Sequence, residues 1–217
     1  MRSPAGLAGP LMAMLLVILS FLSTPVPAPL TTLKLPPAVK RDSLDTGGLT
    51  PAKVVQLFDS GVVLDVAEGQ TQVLVVNGTG AQYIGSRQLD GCTIVVIAGG
   101  KAGIVGHYEP QTQGSGDVKA PGLLDAINAH KDDLQGGTGF VVAGTHNGTV
   151  DYKWQQDQLA ALIKNQLGID VKEPTYRMAA DWEGKNAVDG PASVLLEYPA
   201  GGGSPMFYVE GGNNHVQ

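Results

Sequence analysis

The sequence contains one cysteine, Cys92, and therefore cannot form a disulfide within the chain. Exported proteins usually carry cysteines in even numbers, because an oxidising environment allows them to pair. An unpaired thiol leaves three interpretations at this point. It is a reactive nucleophile, one half of an intermolecular disulfide, or a small buried hydrophobic side chain.

Hydrophobic runs long enough to cross a membrane are also lacking. The apolar run at residues 11–22 has 12 residues, whereas a spanning helix needs about 20. Arg2 precedes this run and a proline-rich stretch follows it, a pattern typical of a secretory signal peptide over residues 1–28. An uncleaved N-terminal anchor is the alternative. We therefore expect a secreted, extracellular protein with no stable membrane association.

Clusters of basic residues are lacking as well. The chain has 14 Lys and Arg against 20 Asp and Glu, and its net charge is −6 with the basic residues scattered. This balance argues against nucleic acid and anionic membranes as partners. The four histidines and the one cysteine show no close ligand spacing, so the sequence predicts no metal site and no cofactor.

The rest of the chain divides into a short leader and one domain. Residues 29–48 mix Pro, Lys, Arg and Gly without periodicity and are interpreted as an extended leader or a processed pro-region. Residues 49–217 are enough for a single domain with a full core, and we expect a monomer. Asn77 and Asn147 each begin an Asn-Gly-Thr triplet. In an exported eukaryotic protein these are N-glycosylation acceptors, although such triplets also arise by chance.

Short strands dominate the predicted secondary structure. A short helix is expected to begin after Thr50, with Pro51 at its first position, and longer helices are predicted at residues 121–134 and 150–167. Strands rich in Val and Ile are predicted at residues 62–66, 71–77, 92–98, 103–108, 140–144, 175–179, 194–198 and 206–210. This pattern predicts an α+β fold, a largely antiparallel β-sandwich core flanked by helices.

The residues around Cys92 favour nucleophilic chemistry. Cys92 follows Gly91 at the mouth of an apolar strand, and His107 ends the next strand, 15 residues later. Pairing these strands as a hairpin brings the two side chains together. A neighbouring imidazolium would stabilise the thiolate and lower the pKa of Cys92, and the amides of Gly91 and Cys92 would face an oxyanion. Ser86 is a candidate partner for the other ring nitrogen.

These residues resemble a known group of enzymes. The motif Leu89-Asp90-Gly91-Cys92, the histidine at this spacing and the hydroxyl residue six positions before Cys92 are similar to the cysteine hydrolase core shared by the cytotoxic necrotizing factor catalytic domain, lethal-factor-type toxins and chemoreceptor glutamine deamidases. The resemblance covers residues 82–108. Asp90 stands where the lethal-factor pattern has serine. At the position of Ser86 the family varies, and it sometimes uses a backbone carbonyl.

The resemblance implies a β-sandwich with flanking helices and a specific reaction. Cys92 would attack the side-chain amide of a glutamine in a protein substrate, and His107 would protonate the departing ammonia. Water would then release glutamate, or an amine would give transamidation. The hypothesis is a secreted, toxin-like effector enzyme of a fungus or another eukaryotic microbe, which acts on proteins with an exposed glutamine. The alternative is a non-catalytic secreted binding or structural module that keeps the fold.

Overall fold

A computed structural model describes residues 49–114, 116–178 and 192–209. The predicted signal peptide over residues 1–28 and the predicted leader over residues 29–48 lie outside these ranges. Among the residues described, no helix combines the length and the apolar character that a membrane span requires.

Three helices and eleven strands make up the described chain. The helices are α1 (Pro51–Asp59), α2 (Leu123–Ala129) and α3 (Lys153–Leu167). The strands are β1 (Val63–Asp65), β2 (Gln70–Val75), β3 (Gln82–Leu89), β4 (Thr93–Ala98), β5 (Ala102–Tyr108), β6 (Thr138–His146), β7 (Thr149–Val150), β8 (Asp170–Lys172), β9 (Thr175–Arg177), β10 (Ala192–Tyr198) and β11 (Met206–Val209).

The strands form two sheets. Sheet A has the order β1-β3-β10-β11, in which β1 pairs with β3 in parallel and the other pairs are antiparallel. Sheet B has the antiparallel order β2-β5-β4-β6-β7, and β8 and β9 pair in parallel with β6. The α+β class and the largely antiparallel core predicted from the sequence are confirmed.

Three apolar clusters stack the helices on the sheets. The first lies between the sheets and joins residues such as Ile84 and Val194 of sheet A to Ile94 and Val105 of sheet B. The second covers the outer face of sheet B with α2 and α3, and the third covers the outer face of sheet A with α1. The result is a β-sandwich with helices on both outer faces, and its two sheets are held together by an apolar core.

The helix boundaries follow from local chemistry. Thr50 caps α1, because its side chain accepts a hydrogen bond from the Lys53 amide. Helix α3 ends at Gly168, whose positive φ of 67° suits glycine. It begins later than predicted, because Thr149–Val150 pairs with β6 as strand β7. Helix α2 is also shorter than predicted, and the chain then turns so that the Asp133 carbonyl accepts a hydrogen bond from Lys101 N–H.

The hairpin of β4 and β5 sets the position of the candidate site. The two strands form the antiparallel hairpin that the sequence predicted, and they pair Thr93 with Tyr108 and Ile94 with His107. Strand β2 lies on the other side of β5 and pairs Gln70 with His107. His107 is therefore held at the end of an interior strand, with a backbone neighbour on each side.

Candidate active site

Cys92 lies directly before β4, at the edge of the space between the sheets. Cys92 precedes Ile94 by two positions, and Ile94 belongs to the core between the sheets. The two side chains therefore lie on the same face of the strand. The residue is buried, with 6% of its surface exposed. Gly91 has a φ of 90°, which lets the chain turn into β4. Tyr176 donates a hydrogen bond of 2.8 Å from its hydroxyl to the Cys92 carbonyl and fixes this turn.

His107 faces the same space from β5. It is two residues from Val105, a residue of the core between the sheets, and only 4% of its surface is exposed. The Gly69 amide donates a 2.8 Å hydrogen bond to the carbonyl of His107. The main chain on either side of the ring is thus part of the sheet, and the imidazole has little freedom to move.

Ser86 reaches this ring from the opposite sheet. It lies in β3 and is fully buried. Its Oγ donates a 2.7 Å hydrogen bond to the Val66 carbonyl and lies 2.8 Å from His107 Nδ1. A hydroxyl has one hydrogen, and Ser86 has given it to Val66. The contact with the ring therefore has Nδ1–H as donor and Ser86 Oγ as acceptor.

This assignment determines the state of the other ring nitrogen. A neutral imidazole protonated at Nδ1 carries a lone pair at Nε2. Across the described part of the chain, His107 Nε2 is a buried side-chain atom with no hydrogen-bond partner. A ring nitrogen of His107 lies within 4.8 Å of Cys92 Sγ. The structure therefore places an imidazole with an unpaired Nε2, held in orientation by Ser86, beside the thiol.

A carboxylate that the sequence analysis did not identify completes the group. Glu68 lies in the loop between β1 and β2 and is exposed, and a carboxylate oxygen of it is within 4.8 Å of both Cys92 Sγ and a ring nitrogen of His107. These three side chains offer donor atoms that are suitable for a metal ion. Their separation in the sequence gave no sign of this cluster, because it depends on the pairing of β2 with β5.

The electrostatic environment favours the neutral thiol. Burial raises the pKa of Cys92 to about 12, and the charge and hydrogen bond of Glu68 and the charges of Glu109 and Asp90 act in the same direction. Burial also lowers the pKa of His107, although the Glu68 charge, a Val66 hydrogen bond and the Asp65 charge oppose this effect. The resting site therefore holds a thiol and a neutral imidazole, rather than the ion pair expected from the sequence.

The two residues predicted to form an oxyanion site lie in the turn that leads into β4. Burial raises the pKa of the Tyr176 phenol, and a backbone hydrogen bond from Gly91 works against that shift. Strand β4 pairs with β5 from Thr93 onward and with β6 from Ile94 onward. Gly91 and Cys92 therefore both precede the two strand pairings.

A buried glutamine fixes the chain around the site. Gln155 on α3 is fully buried, and its Oε1 accepts hydrogen bonds from Thr93 Oγ1 at 3.1 Å and from the Gln111 amide at 3.0 Å. Its Nε2 donates a 2.9 Å hydrogen bond to the Glu109 carbonyl. One side chain thus joins the residue after Cys92 to the segment that follows β5.

The two predicted glycosylation acceptors are both at the surface. Asn77 is exposed after β2, and its Oδ1 accepts hydrogen bonds from the amide and the hydroxyl of Thr79. Asn147 is exposed in the turn between β6 and β7, where it has a φ of 49° and Gly148 has a φ of 76°. Positive φ at both positions is typical of a type I′ hairpin.

The sequence prediction placed Cys92, His107 and Ser86 in one site, and the structure brings these three residues together. Comparison with known proteins does not assign this chain to a family. No protein-family model matches the chain, and no curated protein matches it either.

Proposed function

We propose that the protein is a cysteine amidohydrolase that deamidates glutamine side chains of proteins. One observation carries the proposal: the thiol of Cys92 lies within 4.8 Å of a ring nitrogen of buried His107, whose Nε2 has no hydrogen-bond partner among the described residues and whose ring is oriented by Ser86. A nucleophile, a base and a group that orients the base are the minimum set for acyl transfer. The resemblance of residues 82–108 to glutamine deamidases supports the choice of a carboxamide as substrate.

The first half of the reaction forms a thioester. His107 Nε2 takes the thiol proton while Cys92 Sγ bonds to the carboxamide carbon of glutamine, and the carbonyl oxygen becomes an oxyanion. The Cys92 amide is the donor that we assign to this oxygen. The imidazolium then gives its proton to the nitrogen of the substrate. The carbon–nitrogen bond breaks, and ammonia leaves.

The second half restores the enzyme. A water molecule gives a proton to His107 Nε2 and attacks the thioester carbon, and the collapse of this intermediate breaks the carbon–sulfur bond. The imidazolium returns the proton to the sulfur, and glutamate is released. An amine in place of water would give transamidation. Because the resting thiol is neutral, proton transfer to His107 accompanies the attack, and the histidine acts as a general base.

The chemistry is tested directly by mass spectrometry. A pool of glutamine-containing peptides and a pool of folded proteins are incubated with the chelator-treated enzyme in water labelled with heavy oxygen. We expect ammonia release and one heavy oxygen in each new glutamate side chain. Cys92→Ser and His107→Ala should abolish both signals, whereas His130→Ala, a histidine at the end of α2, should preserve them. Absence of conversion in both pools, or equal conversion by Cys92→Ser, would overturn the proposal.

A further inference from the structure

Three metal-binding atoms of different chemistry meet at the edge of the sandwich. A Glu68 carboxylate oxygen, Cys92 Sγ and a ring nitrogen of His107 all lie within 4.8 Å of one another. They come from three segments: the loop before β2, the residue before β4 and the end of β5. The proposed hydrolysis needs only the sulfur and the ring nitrogen, so the presence of the carboxylate requires a separate explanation.

The ring nitrogen in this cluster lacks a partner. Within the described residues, His107 Nε2 is a buried atom with no hydrogen-bond partner. Only 4% of the surface of this residue is exposed. Leaving a buried polar atom unpaired usually costs about 1–3 kcal/mol, so such atoms tend to have a ligand. The hydrogen bond from Nδ1–H to Ser86 Oγ leaves the lone pair on Nε2 as the free donor atom of the ring. This is the tautomer that a histidine binding a metal through Nε2 requires.

The surroundings also resemble the support of a metal site. Histidine ligands commonly use their second nitrogen in a hydrogen bond that fixes the ring. His107 does so through Ser86, which is itself bound to the Val66 carbonyl. The backbone of Cys92 is fixed by the Tyr176 hydroxyl. Two of the three ligands are thus already oriented, and only the exposed Glu68 side chain has to adjust.

We propose that Glu68, Cys92 and His107 bind a divalent metal ion of the zinc class, with a fourth position open to solvent. Thiolate and imidazole favour such ions over Mg²⁺ and Ca²⁺, which prefer oxygen ligands. Zinc bonds of about 2.0–2.3 Å to tetrahedral ligands place donor atoms about 3.3–3.8 Å apart. Because the three atoms lie within 4.8 Å of one another, each pair has to approach by at most about 1.5 Å.

Metal binding would regulate the proposed enzyme. The ion replaces the thiol proton, which is released to solvent, and it occupies both the Cys92 sulfur and the His107 lone pair. The nucleophile and its base are then unavailable, so the metal-bound protein is inactive until the metal is removed. This regulatory role rests on the proposed function, whereas the binding of the metal does not.

Cobalt substitution tests the site without an activity assay. Titration of the chelator-treated protein with Co²⁺ should give one equivalent of binding and a thiolate-to-cobalt charge-transfer absorption, which Zn²⁺ removes by competition and Mg²⁺ does not. Cys92→Ser should lose this absorption. Glu68→Gln should weaken Co²⁺ binding by about tenfold or more. Asp125→Asn, an exposed carboxylate on α2, is the matched control and should leave the affinity unchanged.

The outcomes separate this proposal from the proposed function. Absence of the charge-transfer absorption at saturating Co²⁺, or equal affinity in His107→Ala, would overturn the metal site whether or not peptides are deamidated. Cobalt binding with the expected absorption, together with no deamidation by the metal-free protein, would retain the site and refute the enzyme. Deamidation that persists with Zn²⁺ bound would overturn the inhibitory role.

Discussion

The single hydrogen of the Ser86 hydroxyl has a large effect on the candidate site. Because Ser86 donates it to the Val66 carbonyl, the serine oxygen accepts a hydrogen bond from His107 Nδ1–H. A backbone carbonyl thus determines, through one side chain, which ring nitrogen holds the proton. Ser86 is a positioning residue in this account, because it acts on the substrate only through His107.

Replacing Ser86 tests this positioning role. Ser86→Ala leaves the buried Nδ1–H and the Val66 carbonyl unpaired, so we expect the free energy of unfolding to fall by about 1–3 kcal/mol. The kcat for glutamine deamidation should fall by about tenfold or more, because the ring no longer favours one tautomer. Ser86→Thr keeps the hydroxyl and should recover most of the lost kcat. Equal kcat values for the wild type and Ser86→Ala would contradict the role.

At the residue scale, the sequence predicted that the Cys92 sulfur and the His107 imidazole lie together, but it did not predict the nearby Glu68 carboxylate. Cys92 and His107 are joined by a hairpin with a short turn, so a local pattern was enough to place them side by side. Glu68 lies between β1 of sheet A and β2 of sheet B. Its approach depends on the pairing of Gln70 with His107, a long-range contact with no local signal.

The elements themselves were predicted best where a cap or a turn marks them. Thr50 and Gly168 mark helix ends, and the structure has helices that begin and end there. Strand β3 was not predicted, because its sequence mixes Gln, Arg, Gly and Ser with few β-branched residues. Its neighbours impose the extended conformation. At Gly85 a Cβ would lie only 2.3 Å from the Val194 carbonyl oxygen, which explains the glycine in this central strand.

Helix α3 also departs from simple amphipathicity, because it buries polar side chains. Gln155 and Gln156 are buried together with Leu159 and Ile163. Gln156 donates a 2.8 Å hydrogen bond from Nε2 to the Val141 carbonyl in β6. The partners of both glutamines are backbone or side-chain groups distant in sequence, so the pattern of α3 alone could not reveal why polar residues face the core.

We expect Gln155→Leu to be strongly destabilising. The leucine fills a similar volume but leaves Thr93 Oγ1, the Gln111 amide and the Glu109 carbonyl without their partner, so the free energy of unfolding should fall by about 2–4 kcal/mol. Urea unfolding followed by circular dichroism measures this change. Gln158→Leu, at an exposed position of the same helix, should stay within about 0.5 kcal/mol of wild type. Similar losses for both variants would show that helix surface chemistry, rather than the buried hydrogen bonds, is responsible.

At the scale of the whole molecule, the candidate site is a contact between two sheets. Ser86 belongs to sheet A, whereas His107 belongs to sheet B. Short strands rich in Val and Ile predicted a sandwich, but the assignment of each strand to one of the two sheets arises only from long-range pairing. The proposed function therefore depends on the packing of the core between the sheets, because a small shift of one sheet would separate the serine from the ring.

The stability of the whole molecule should depend on a half-buried carboxyl group, that of Glu197. Burial raises the pKa of Glu197 in β10, and hydrogen bonds from Tyr83 and Tyr208 only partly oppose this shift. A carboxyl pKa that is higher in the folded state means that the folded protein binds the proton more tightly. The stabilisation is therefore present at acidic pH and is lost as the pH rises through the folded pKa.

Glu197→Gln should remove this dependence. We expect the variant to be more stable than wild type at about pH 7, where the buried carboxylate is charged, and the difference to shrink near about pH 4. Urea unfolding at both pH values measures the change. Asp125→Asn on the exposed face of α2 should show little difference at either pH. A stability gain that is larger at the acidic pH would contradict the assigned direction.

Alkylation of Cys92 tests the central claim most directly. The folded, chelator-treated protein is exposed to iodoacetamide at about pH 8, near the ordinary pKa of a free thiol, and the modification of Cys92 is followed by mass spectrometry. His107→Ala is the test variant and His130→Ala is its control. We predict that the folded wild type reacts. His107→Ala should react at least about 100-fold more slowly, because it lacks the base. Equal rates in wild type and His107→Ala, or labelling only after unfolding, would contradict a thiol activated by His107.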